Sequence, residues 1–446
     1  MSRKYFGTDG MRGLVNSGNM TPDIILRLAL AAGHYFKSTV GRHLVVIGKD
    51  TRLSGYMVEP TLVAGFTAAG MDTVTVGPVP TPAIALLTGS LRADAGVMIS
   101  ASHNPFHDNG IKLFGPDGYK LSDEAEIEIE RLMDGDLGDL YAPADKLGRA
   151  MRLEDVAGRY VEHTKAVLPL GLNLSGIKVA LDTAHGAAYK ISPKVFEELG
   201  AKVVQIGNRP NGKNINEGVG ATAPQKLSKF VVEQGADIGL ALDGDADRLI
   251  VVDELGDIID GDQTMAVVAK YLQSQGALKG NVVATVMSNM GLEEFLESIG
   301  SGLTRTQVGD RYVVEEMRKS GSNFGGEQSG HLVLSDYATT GDGTTAGLCV
   351  LSALLNHGGK ASDMCKCFEP YPQILKNIRV TDFSVLDNQV VKKAIANADE
   401  ALKNTGRTLI RKSGTEPLIR VMAEGKDNAL VEKSVDSIIS AIKSVM

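Results

Sequence analysis

The sequence predicts an α/β protein: three similar mixed-sheet α/β domains and a smaller C-terminal α+β domain around one central cleft. Three observations predict it. First, an apolar strand runs into a polar turn three times. These are Leu44–Gly48 into Lys49-Asp50-Thr51-Arg52, Val179–Leu181 into Asp182-Thr183-Ala184-His185-Gly186, and Val282–Val286 into Ser288-Asn289-Met290-Gly291. Second, each is followed by a helix-like stretch ending near Gly70, Gly200 or Gly300, then by a second strand stopping at Gly77, Gly207 or Gly309. Third, past Gly358-Gly359-Lys360 the segment Phe368–Gln373 carries two prolines and breaks the pattern.

Taken in order, the repeats deliver a Ser102 loop, an Asp243 loop and a Glu327 loop, and ligands in such sheets sit beyond the carboxyl ends of strands. The Asp- and Gly-bearing stretch Leu132–Leu147, followed by a connecting helix over Val156–Leu168, sets the first boundary. The expected units are 1–154 with the serine loop, 155–256 with the aspartate loop, 257–370 with the Glu327 loop, and 371–446. The last unit mixes a strand over Ile374–Val380 with helices over Gln389–Lys403 and Ala429–Val445 and carries a Ser413-Gly414-Thr415 loop.

Composition narrows the function classes. At 446 residues the chain exceeds one ordinary core, and 43% apolar with 22% charged residues is ordinary for a soluble globular protein. A net charge of −8 argues against a nucleic-acid partner, so anionic ligands must meet local basic clusters such as Arg411, Lys412 and Arg420. The three cysteines, Cys349, Cys365 and Cys367, fit neither zinc nor Cys-x-x-Cys spacing and read as packing residues in a reducing compartment. No secretory leader or membrane-length apolar run is evident, so a cytoplasmic protein without a membrane partner is expected, as monomer or homodimer.

Two motifs carry the chemistry. The strand Ala95–Ile99 stops at Ser100-Ala101-Ser102-His103-Asn104-Pro105, which places the Ser102 hydroxyl at a turn. The apolar run Ile238–Leu242 enters Asp243-Gly244-Asp245-Ala246-Asp247-Arg248, three carboxylates at alternating positions able to converge on one hard cation. A calcium loop would share that spacing, with Glu254 at its twelfth position. Arg248 stands where such a loop requires glycine, however, and Leu249–Val252 reads as a strand. A hydroxyl and a hard-metal site at neighbouring strand ends suggest phosphoryl transfer. No Gly-x-Ser-x-Gly elbow surrounds Ser102, which argues against a hydrolase nucleophile. Side chains adjacent on an extended segment point apart, which argues against His103 as its base.

Together these motifs resemble the active-site serine and metal loops of the α-D-phosphohexomutase superfamily. The resemblance continues in order through Phe6–Gly13, Gly326-Glu327-Gln328-Ser329-Gly330-His331, and Arg411-Lys412-Ser413-Gly414-Thr415-Glu416-Pro417 with Arg420. It implies a four-domain, heart-shaped enzyme in which Ser102 is phosphorylated and completes, with Asp243, Asp245 and Asp247, the shell of a Mg²⁺ ion. By the same resemblance Lys112 assists proton transfer and Arg12 helps hold the serine loop; from the residues alone, a solvated lysine and a structural ion pair are the competing readings. Glu327 and Ser329 would read the hexose, and Arg411, Ser413, Gly414, Thr415 and Arg420 would grip a phosphate. His331 is left between cleft and turn cap.

The segment Asp182–Tyr189 and the Glu-Gln-Ser-Gly-His form of the sugar loop are similar to the superfamily's amino-sugar branch. That implies interconversion of glucosamine 6-phosphate and glucosamine 1-phosphate, feeding UDP-N-acetylglucosamine and cell-wall precursors. A glucosamine or glucose 1,6-bisphosphate would serve as intermediate or activator. Mannose or glucose phosphates are the alternative substrates, a metal-dependent sugar phosphatase is an alternative of another class, and a non-catalytic phosphosugar binder is a third.

Overall fold

A computed structural model describes residues 3–7, 9–37, 43–412 and 417–446. Its first sheet contains β1 (Met11–Leu14), β2 (Leu44–Lys49), β3 (Asp72–Pro78), β4 (Ala95–Ile99), β5 (Asp108–Phe114) and β6 (Ala150–Arg152), in the order β1-β5-β4-β2-β3-β6. The second holds β7 (Lys178–Asp182), β8 (Lys202–Ile206), β9 (Ile238–Leu242), β10 (Leu249–Asp253) and β11 (Ile258–Ile259), in the order β11-β10-β9-β7-β8. The third holds β12 (Val282–Thr285), β13 (Leu303–Thr306), β14 (Phe324–Gly326) and β15 (Leu332–Leu334), in the order β13-β12-β14-β15.

The repeat read from sequence is a repeat of topology. Counting the repeat from β2, β7 and β12, its first strand lies between the second and third, both parallel to it, and a fourth returns antiparallel beside the third. The Ser102, Asp243 and Glu327 loops all join the third strand to the fourth, so three equivalent hairpins carry the three motifs. β4 and β9 are buried throughout, as central strands with both faces covered require. β11 pairs with β10, so the second sheet reaches past the expected 256/257 boundary to residue 259. Two isoleucines after a Gly-Asp turn are too short a run to register as a strand from sequence.

One apolar core runs without interruption through the three units, from Phe114 through Phe196 and Leu242 to Phe324 and Leu351. The helix Gly343–His357 is buried along most of its length, and its N-cap Asp342 accepts the Tyr160 hydroxyl of the helix Val156–Lys165 at 2.7 Å. This continuous core keeps the three hairpins in fixed relation.

The last unit has a separate core and an antiparallel sheet of β16 (Gln373–Arg379), β17 (Gly406–Lys412) and β18 (Leu418–Gly425), in the order β16-β18-β17. Helices Gln389–Leu402 and Asn428–Ser444 complete it, as the sequence predicts. It seats on the third unit through Arg407, which donates to the Val286 and Ser288 carbonyls at 2.8 and 2.9 Å, and through Gln373, which donates to Met287 at 3.0 Å. Among the described residues, no helix is long and apolar enough to cross a membrane.

Candidate active site

The serine loop is held from below by a buried ion pair. Asp50 and Arg52 lie in the polar turn after β2, with Arg52 Nε 2.8 Å from Asp50 Oδ2. The guanidinium donates to the carbonyls of Ser102, Asn104 and Pro105 at 2.8, 2.9 and 2.6 Å. Asp50 accepts Ser100 Oγ at 2.6 Å, and Ser100 Oγ in turn accepts the Ser102 N–H. Asn216, from the second unit, donates to the Ser102 and Asn104 carbonyls as well. This network holds Ser102 at φ 49°, a left-handed conformation costly for a non-glycine residue and maintained only where surroundings enforce it.

From that turn the Ser102 hydroxyl, only 1% exposed, donates to Asp243 Oδ2 at 2.5 Å. Asp243, Asp245 and Asp247 are all buried, and a ligand oxygen from each lies within 4.8 Å of the others. Gly244 lets the two loops meet: a Cβ there would stand 2.5 Å from the Ser102 carbonyl. Burial, and then the charges of Asp247 and Asp245, push the Asp243 carboxyl well above its ordinary range. Burial would raise Asp247 too, but Lys112, His331 and Arg248 hold it down to about 2. Asp245 Oδ1 and Asp247 Oδ1 are buried without a hydrogen-bond partner among the described residues. Unpaired buried carboxylate oxygens are costly, and converging oxygen-only donors fit a hard divalent cation.

Lys112, on β5, is buried rather than solvated. Its ammonium lies 2.8 Å from Asp245 Oδ2, 3.0 Å from Asp247 Oδ2 and 3.4 Å from Asp9. Burial opposes its charge, yet these carboxylates outweigh that and carry its pKa well above the ordinary value. Lys112 thus lies here as a positive charge among three carboxylates. Arg12 lies beside them. It pairs with Asp9 and faces Asp245 and Asp247, and it makes no hydrogen bond to the serine loop among the described residues. Arg52 and Asn216 hold that loop instead.

The residues expected to read the sugar lie on the next hairpin. Arg248 bridges His331 by backbone, Leu249 N–H donates to the Gly330 carbonyl, and Gly343 N–H donates to Ala246, so the aspartate and Glu327 loops are stitched together. Glu327 is half-buried and accepts the Gly309 N–H at 3.1 Å, while Ser329 is exposed. His331 is buried, with Nε2 3.3 Å from Asp310, which places it inside the site. Asp310 also pairs with Lys120, which pairs with Asp9, so charge contacts run unbroken from the sugar loop to the aspartates.

Arg411 and Arg420 face each other on β17 and β18, and the Nε of each is buried without a partner among the described residues. Burial, then Arg420, lowers the Arg411 pKa. No hydrogen bond or ion pair among the described residues ties these arginines to the Ser102–Asp247 cluster. Ser413, Gly414 and Thr415, expected beside them, lie outside the described residues.

Sequence reasoning missed Asp9, Arg52, Thr81, Asn216 and Asp310, polar residues outside the quoted active motifs or left without a role. It also placed His103 away from Ser102, whereas Nδ1 lies 3.4 Å from Oγ because the turn is left-handed rather than extended. Burial, then Arg248 and Arg12, lower the His103 pKa to about 4, so the ring is neutral near pH 7.

Matches to known proteins agree with this geometry. Models of the phosphoglucomutase/phosphomannomutase family match as alpha/beta/alpha domain I over residues 3–137, domain II over 158–256, domain III over 260–371 and the C-terminal domain over 375–441. The chain belongs to this family of phosphohexomutases. A relative from Rhizobium johnstonii is 58% identical over 446 residues, spanning 100% of this chain and 99% of its own length. One from Agrobacterium fabrum is 59% identical over 445 residues with the same coverage. Both are named phosphoglucosamine mutase, and the chain falls within that branch of isomerases. Among solved structures, a phosphoglucomutase/phosphomannomutase family protein from Burkholderia thailandensis shares the fold with a TM-score of 0.83. It is 23% identical and covers 99% of this chain and 98% of its own. An N-acetylphosphoglucosamine mutase from Aspergillus fumigatus, solved with GlcNAc-6P and magnesium, has a TM-score of 0.69 at 17% identity, covering 99% and 96%.

Proposed function

We propose that this chain interconverts glucosamine 6-phosphate and glucosamine 1-phosphate through a phosphoserine at Ser102. The observation that carries the reading is the Ser102 hydroxyl 2.5 Å from Asp243, within a buried group of carboxylates that retain unpaired oxygens. Asp243, Asp245, Asp247 and a phosphate oxygen on Ser102 would hold Mg²⁺. When bound, the ion supplies Lewis-acid neutralisation of the phosphoryl oxygens.

The residues divide the remaining work. Arg52 and Asn216 fix the serine turn so that Oγ keeps one direction. Lys112 and Arg12 hold positive charge beside the transferring phosphoryl group, and Arg248 faces the same space from the aspartate loop. In the first half-reaction, the bond between phosphorus and Ser102 Oγ breaks and one to a sugar hydroxyl oxygen forms, the hydroxyl losing its proton while the leaving Ser102 Oγ takes one up, which gives a bisphosphate. In the second, the other phosphate returns to Ser102 Oγ and the product hexose monophosphate leaves. The sugar must turn over between the halves, so one pocket has to grip whichever phosphate is not reacting. Arg411 and Arg420, with Ser413, Gly414 and Thr415, fill that role. Glu327 and Ser329 present an acceptor and a donor/acceptor to the hexose hydroxyls. Glucosamine or glucose 1,6-bisphosphate would prime Ser102.

The Aspergillus enzyme's ligands, GlcNAc-6P and magnesium, support this choice of substrate and metal. The four units are proposed as 1–154, 155–256, 257–370 and 371–446, in a cytoplasmic monomer or homodimer without nucleic-acid or membrane partners, feeding UDP-N-acetylglucosamine synthesis. A substrate panel tests the reading. Glucosamine phosphate should be turned over in preference to glucose and mannose phosphates, each assayed with its own bisphosphate. Equal or better use of mannose 6-phosphate would move the chain to the phosphomannomutase reading.

A further inference from the structure

Thr81 begins the helix Thr81–Ser90 of the first unit, behind Pro80, and is completely buried. It belongs to none of the motifs that define the site, yet it makes two hydrogen bonds to the middle aspartate of the second unit. Its N–H donates to the Asp245 carbonyl at 2.9 Å, and its hydroxyl lies 2.6 Å from Asp245 Oδ2. A carboxylate offers only acceptors, so the hydroxyl proton is committed to Oδ2. Lys112 donates to the same oxygen at 2.8 Å. Asp245 Oδ2 is thus held by two donors, while Oδ1, equally buried, has none among the described residues.

We infer that Thr81 is a positioning residue of the cation site, setting the Asp245 carboxylate so that Oδ1 faces the metal. The inference rests on the metal reading given above. Four features converge on it. A ligand carboxylate whose outer oxygen is hydrogen-bonded is oriented before the ion arrives. A β-branched threonine has few χ1 options, so its hydroxyl direction is fixed by the helix start. Lys112 alone does not fix the carboxylate, because its ammonium is shared with Asp247 and Asp9. Finally, the paired backbone bond locks the aspartate loop to the start of this helix, so the cation site spans two units and depends on both.

The test measures metal binding directly, on the full chain stripped with chelator and without substrate. Titration calorimetry with Mg²⁺, and Mn²⁺ binding followed by electron paramagnetic resonance, should give T81V a Kd raised about 10- to 100-fold. T81S, which keeps the hydroxyl, should stay within about threefold of wild type in the same titration. T81A is the second variant, free of any clash between a methyl group and the carboxylate, and should weaken binding as T81V does. The affinity of chelator-treated protein for glucosamine 6-phosphate should be unchanged, which a general loss of structure would not allow. Wild-type Mg²⁺ affinity in T81A would overturn the proposal, as would equal weakening in T81S and T81V. D245N serves as the control: it should lose Mg²⁺ binding, and wild-type binding in D245N would overturn the metal reading and this inference with it.

Discussion

The centre between the first two units and the recognition loops of the last two are built on opposite terms. At the centre, Ser102, Asp243, Asp245, Asp247 and Lys112 are buried and bonded to one another across the unit boundary. The recognition side is looser. Ser329 is exposed, Glu327 is half-buried with one backbone donor, and Arg411 and Arg420 have no counter-charge among the described residues. Chemistry on phosphoryl groups needs preorganised charge, which requires a dry and rigid site. A sugar bound in two orientations needs contacts that form with either end, so its donors and acceptors are left for the ligand. In the proposed reading the third-to-fourth-strand hairpin serves both purposes, as the buried centre in the first two units and as the more exposed sugar reader in the third.

If this division is real, damage to the centre should appear in kcat and damage to the readers in substrate affinity. The largest effect is expected for Ser102→Ala. Mutase activity should fall by roughly 10⁴-fold or more, the scale of losing a covalent nucleophile. Intact-mass analysis should lose the species heavier by one phosphate. Wild-type turnover in that variant would remove the phosphoserine from the mechanism.

Next come Asp243→Asn, Asp245→Asn and Asp247→Asn. Each should cost several kcal/mol of transition-state stabilisation, or roughly 10²–10⁴-fold in kcat, with a far smaller change in KM. Chelator should abolish activity and Mg²⁺ restore it. Full activity in a stripped preparation would make the buried carboxylates structural.

On the recognition side the balance should reverse. Arg420→Ala is expected to weaken both phosphosugar isomers by about tenfold to a hundredfold, from losing a contact worth roughly 1.5–3 kcal/mol. Binding measured by calorimetry should show the same loss for each isomer. A loss for one isomer only would mean the two orientations do not share the arginine pocket.

The smallest effect concerns the choice of sugar. kcat/KM for glucosamine phosphate should exceed that for glucose or mannose phosphate by about tenfold, near 1.4 kcal/mol. Glu327→Gln should narrow that ratio while leaving Ser102 phosphorylation intact. A ratio unmoved by Glu327→Gln would assign sugar selection to another residue.

The same contrast explains what was legible in the sequence. Strand runs closed by polar turns revealed the repeat, because central strands are apolar throughout and their ends are marked by Gly, Asp and Ser. Ser102 was legible as a hydroxyl at a strand-end turn, and the aspartates because their alternating spacing brings three oxygens together on one tight turn. Arg52 and Thr81 were not. Their partners lie 50 and 164 positions away in the chain, at Ser102 and Asp245, and only the packed sheets bring them close. Lys112 read equally well as a solvated lysine, since nothing local reveals that β5 passes under the aspartates. His103 was misplaced by assuming an extended backbone where Ser102 is left-handed. Part of the phosphate-gripping loop, read from its basic residues, lies beyond the described residues.

In the proposed mechanism phosphate on Ser102 passes to the sugar and not to water. A single-turnover experiment tests it most directly: load Ser102 with labelled phosphate from labelled glucosamine 1,6-bisphosphate, remove the excess, and add unlabelled glucosamine 6-phosphate with Mg²⁺. The label should leave the protein as sugar bisphosphate and then appear in hexose monophosphate, with little inorganic phosphate. Label released as inorganic phosphate, with none on sugar, would contradict it and make the same buried centre that of a phosphatase.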